Sequence, residues 1–163
     1  MMPETRIPDT RRSPAGLEIV IRVAGVVVAA VAAVVTAFLE LELSALRIGA
    51  FRTVLAGDSP YEGSGDPLPL AVPVAVLANL AIGWFAVYTT GRRRGLVVPW
   101  VLWTLVMMAA AGTRTAEGDY LVGGTNVVAL VTILAGSLTF AVHSYRLILR
   151  PLRTDSEIPG AAK

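Results

Sequence analysis

Four stretches of the chain carry no charged residue: 23–39, 67–91, 95–113 and 120–142, of 17, 25, 19 and 23 residues. Together they make up just over half of the 163 residues. At a rise of about 1.5 Å per residue, about 20 helical residues cross a hydrocarbon core of about 30 Å. None of the stretches alternates apolar and polar positions, as a membrane strand of about 10 residues would. The pattern predicts an all-α integral membrane protein, a four-helix bundle with spans over about 17–39, 68–88, 96–112 and 120–145. Residues 17–149 then form one transmembrane domain. Residues 1–16, with three Pro, three Arg and two acids, read as a disordered cytoplasmic tail, and 150–163 as a second cytoplasmic tail.

Within the spans, small residues recur every four positions. Gly25, Ala29, Ala33 and Ala37 form such a stripe in the first span, and Ala71, Ala75, Asn79 and Gly83 form one in the second. Stripes of this kind let helix backbones approach closely. Pro69 falls in the first turn of the second span, and the deeper Pro73 is expected to bend it. Residues 40–55 carry apolar side chains at helical spacing, which suits an interfacial helix or an extension of the first span. Glu40 and Glu42 mark the exit of that span and are expected to be solvated. Residues 57–69 read as loop. Residues 123–126, Gly-Gly-Thr-Asn, open the fourth span and suit close packing.

Composition sharpens the class. Apolar residues reach 55% and charged residues only 16%, against about 25% in a soluble domain. There is no Cys, so disulfide, thiol redox and cysteine metal chemistry are excluded. The 14 Lys and Arg flank the spans and form no stripe for nucleic acid. They divide 11 to 3, with the tails, Arg22 and Arg92, Arg93 and Arg94 on the heavy side and Arg47, Arg52 and Arg114 on the other. The positive-inside rule then predicts a plasma-membrane protein with both termini cytoplasmic. The first span is longer than a signal-peptide core and has no A-x-A-like site after it, so it reads as a retained anchor.

Candidate chemistry is sparse. Arg114, Glu117 and Asp119 cluster between the third and fourth spans and could hold an extracytoplasmic ligand. They also carry the charge signs that the two helix ends favour, by about 0.3–1 kcal/mol each. Asn79 and Asn126 are the intramembrane polar candidates, with Thr104 and Thr132. Each could line a path, and each suits interhelical hydrogen bonding. Arg92–Arg94 could meet an anionic headgroup, although topology alone explains it. His143 is a lone histidine at the cytoplasmic end of the fourth span and reads as interfacial. With no carboxylate read at the centre of a span, the proton-coupled chemistry of small multidrug exporters is not expected. No catalytic, metal or cofactor site is predicted.

Several of these features occur together: Arg47 and Gly49 after the first span, Pro residues opening the second with Asn79 in its middle, Pro99 and Trp103 in the third, and Arg114, Glu117, Gly118 and Asp119 before a Gly-rich start to the fourth. The combination resembles a family of small, uncharacterised four-span membrane proteins of high-GC Gram-positive (actinobacterial) bacteria. The resemblance covers roughly residues 20–145 and implies fold and compartment, with no activity, ligand or catalytic residue. From the residues, the favoured function is a non-enzymatic accessory or packing subunit of a cell-envelope complex, in contact with lipid and with a homo- or hetero-oligomeric membrane partner. The alternatives are a homo-oligomeric small channel or transporter, then an interfacial lipid-processing enzyme.

Overall fold

The computed structural model describes residues 15–58, 65–114 and 126–149. They form α1 (Ala15–Ala45), a short α2 (Ala50–Leu55), α3 (Ala71–Thr90), α4 (Val97–Gly112) and α5 (Val127–Leu149), with a 3₁₀ turn (Arg93–Leu96) leading into α4. Four of these helices, with the turn counted into α4, are long and apolar enough to cross a bilayer, and they pack as one bundle. The chain is a multi-pass membrane protein with four candidate spans. Its tails at 1–14 and 150–163 lie outside the described residues.

α1 packs against α3 and α4, and α3 in turn packs against α5. Lipid tails are as apolar as leucine, so close packing and interhelical bonds must hold these helices together. The sequence supplies the close packing. Ala29, Ala33 and Ala37 are fully buried, and Gly25 lies so close to Thr89 of α3 that a Cβ there would overlap the threonine side chain. Ala71, Ala75 and Ala86 give α3 an equally tight face. Large apolar side chains such as Val31, Val35, Leu77, Leu105 and Leu134 point outward, as a lipid-facing surface requires.

Three helix ends differ from the pattern-based expectation. α1 does not stop at residue 39 but runs to Ala45, about one and a half turns further. α3 begins at Ala71, so Pro73 falls in its first turn, where a missing N–H removes no intrahelical bond. α5 begins at Val127 because the Asn126 side chain accepts a bond from the Ala129 N–H at 3.0 Å. Asn126 is therefore an N-cap at the helix end, and not an amide buried in mid-span.

Call the Ala45, Ala71, Gly112 and Val127 end of the bundle the upper end. There, Leu46–Ile48 pairs with the segment before α3. Ile48 N–H donates to Asp66 O at 3.0 Å, Leu68 N–H donates to Leu46 O at 2.8 Å, and the Arg47 guanidinium donates to Gly65 O at 3.0 Å. At the lower end, Gly91 adopts the left-handed conformation that closes α3 (φ 63°), and its N–H bonds Val87 O at 2.9 Å. That turn delivers Arg92, Arg93 and Arg94 directly into the start of α4.

Candidate functional site

The buried stripe of α1 does not end with Ala37. Glu40 follows it by three residues and Ser44 by seven, spacings that keep both on the same helix face. Glu40 is 0% exposed and Ser44 is 3% exposed. The expectation of a solvated Glu40 is overturned, because α1 continues as a helix through that position and turns it into the bundle. Carrying the helical i+3/i+4 spacing one turn past Ala37 puts Glu40, together with Leu41, on that face.

Glu40 Oε2 accepts a bond from Trp103 Nε1 of α4 at 2.9 Å. Its other oxygen, Oε1, is buried with no hydrogen-bond partner. The Trp103 ring, also 0% exposed, tilts against Phe140 of α5 with ring centroids 6.0 Å apart. The ring also lies against Gly136 of α5, where a Cβ would overlap it and stand 2.8 Å from Asn79 Nδ2. A glycine is needed there for room. The four elements thus bring together a carboxyl, an indole and an amide that no local motif joins.

Asn79 is 1% exposed, and neither its Oδ1 nor its Nδ2 has a partner. The same holds for Thr104 Oγ1. Thr132, by contrast, returns its hydroxyl to Val128 O of its own helix at 2.8 Å. An unsatisfied polar group in a hydrocarbon setting costs several kcal/mol. Among the described residues, Glu40, Asn79 and Thr104 thus each carry a buried polar atom with no hydrogen-bond partner. Ionisable residues inside spans face the interior and mark ion, proton or substrate paths.

Above this level a cleft of about 520 Å³ opens between α1, α4 and the start of α5. Phe38, Leu41, Val106 and Ala110 make its walls apolar, while Glu42, Ser44, Thr113 and Asn126 supply polar atoms. Leu41 and Ser44, one residue and one turn from Glu40, are among its lining residues.

Of the predicted site residues, Asn79 is in this core and Asn126 is on the rim of the cleft. Arg114 is exposed just beyond α4, and Glu117 and Asp119 lie outside the described residues. Glu40 and Trp103 were not among the candidates. Among the described residues, no group of three His, Asp or Glu could hold a metal ion. No family model matches the chain, and no curated protein or solved structure matches it either.

Proposed function

We propose that this four-span protein is a non-enzymatic membrane carrier for a small cation with apolar substituents. The observation that carries the reading is the Glu40 carboxyl, fully buried in the bundle and bonded through only one of its oxygens, on the helix whose Leu41 and Ser44 line an apolar-walled cleft. The cleft would take the apolar part of the ligand, Glu42 would draw the charge inward, and Glu40 would meet it. In its ionised form an enclosed carboxylate is stabilised by a positive partner more than by a neutral one. Four helices enclose little space alone, so the carrier is proposed to work with a membrane partner, either a second copy or another chain.

The accessory-subunit reading draws on the sparse reactive chemistry of the chain and on small-residue stripes that a foreign helix could use. Those stripes are occupied inside the chain, by α1 against α3 and α4, which leaves the carrier as the better supported function. The 11-to-3 division of Lys and Arg supports a plasma-membrane orientation with both termini cytoplasmic. The upper cleft would then open to the outside. The likeness to actinobacterial four-span proteins is compatible with this and adds no ligand.

Equilibrium dialysis of the purified full chain with tetraphenylphosphonium tests the proposal. Saturable binding is expected, weakened at least about tenfold, or ~1.4 kcal/mol, in Glu40→Gln. Unsaturable uptake by wild type, or equal binding by Glu40→Gln, would end the carrier reading.

A further inference from the structure

The lower end of the bundle holds a second feature, which the cation site does not use. A groove of about 380 Å³ runs between the first turns of α1 and the α3–α4 link. Arg22, Arg92 and Arg94 line its polar end, and Val23, Val27 and Val98 line its apolar length. The backbone fixes this arrangement. Thr90 Oγ1 receives the Arg92 N–H at 3.3 Å, and Gly95 packs so tightly on Thr90 and Ala86 O that no side chain would fit. A 3₁₀ turn advances about three residues per revolution, so neighbours leave on different faces. Arg92 and Arg94 reach the groove, and Arg93 is not among the residues that line it.

Among the described residues the charge balance there is positive. Glu18 bonds Arg22 across one helical turn and is the acid on that face of α1. Three guanidiniums against one carboxylate leave donors for a further anion, and guanidinium forks match phosphate oxygens. Above the arginines the groove is apolar, and Val23 and Val27 are 57% and 55% exposed. A second shallow cleft of about 450 Å³ flanks the same two valines on the side of Ile19, Val20 and Val28. A negative head directly below two adjoining apolar channels is the outline of a two-chain amphiphile.

We propose that this end of the bundle is a binding site for an anionic phospholipid, with its phosphate among Arg22, Arg92 and Arg94 and its acyl chains along the Val23–Val27 ridge. A soluble anion would satisfy the arginines but leave both channels unused. A zwitterionic lipid would fill the channels but bring its own cation to the arginines.

The test is native mass spectrometry of the full chain released from detergent. Phosphatidylglycerol, phosphatidylcholine with the same chains, and free glycerol phosphate are offered in turn. Phosphatidylglycerol should stay bound and phosphatidylcholine should not, and excess glycerol phosphate should fail to displace the lipid. The pair Arg92→Gln and Arg94→Gln should reduce retention by about tenfold, the scale of one or two charge-assisted bonds. Arg93→Gln, equal to each of those substitutions in charge, should change it little. Val27→Trp fills the ridge from an exposed face without altering charge, so it reports even if the arginine pair does not insert, and it should also weaken retention. Equal retention of the two lipids, equal loss with Arg93→Gln, or no loss with Val27→Trp would overturn the proposal. Displacement by glycerol phosphate would make this a soluble-anion site instead.

Discussion

Trp103 and Glu40 are 63 residues apart in the chain, and the 2.9 Å bond from the indole Nε1 to the carboxyl Oε2 ties α4 to α1 deep in the bundle. Both side chains are fully buried, so neither can exchange the other for water.

Trp103→Phe keeps an aromatic ring but leaves the Glu40 carboxyl without its donor. Stranding a buried polar group costs about 1–3 kcal/mol, so the detergent-solubilised protein should unfold at lower temperature by that measure. Glu40→Gln keeps an acceptor oxygen and should lose less. Combining Trp103→Phe with Glu40→Leu removes both partners and should restore part of the loss. A Trp103→Phe protein as stable as wild type would mean that the bond contributes nothing.

Asn79→Leu should be neutral or stabilising by up to about 1 kcal/mol, since it removes an amide whose two polar atoms have no partner. The small-residue face of α3 had suggested the opposite, an amide bonding a neighbouring helix. Loss of cation binding with stability retained would place Asn79 on the ligand path. A clear loss of stability in the purified chain would contradict the unpartnered amide.

Asn126→Ala should cost about 1 kcal/mol, the usual worth of an N-cap, and Asn126→Asp should cost far less because it preserves the accepting oxygen. If both substitutions are silent in a thermal melt, the cap does not limit stability.

Orientation is open to direct labelling. Cysteines at Asp58 and Thr113, both exposed at the upper end, should react with an impermeant maleimide on intact cells. A cysteine at Arg93 should react only after permeabilisation. The reverse result would invert the reading of the 11-to-3 charge division.

Much of the fold was legible along the chain, and its limits have physical causes. Charge-free runs locate helices because lipid excludes charge, and the Gly25–Ala37 stripe located the packing face of α1 correctly. Glu40 was misread because a charge was taken as the end of a span, although the helix period ran straight through it. Asn126 just before the apolar Val127–Ala129 run already had the form of a cap. The Glu40–Trp103 pairing was not legible at all. It depends on how far α1 slides along α4, and that register is set by side-chain packing between distant segments.

The pairing of Leu46–Ile48 with Asp66–Leu68 has a consequence for engineering. Those two backbone bonds clamp the ends of the connection between α1 and α3, so the span-to-span distance is set at the clamp and not by the chain between. Loop closure depends only weakly on length, about 0.6 kcal/mol per doubling. The segment from Gly57 onward should therefore accept an inserted epitope or a small reporter domain while the bundle keeps its register. Replacing Arg47, whose guanidinium ties down Gly65, should make the same insertions harder to tolerate.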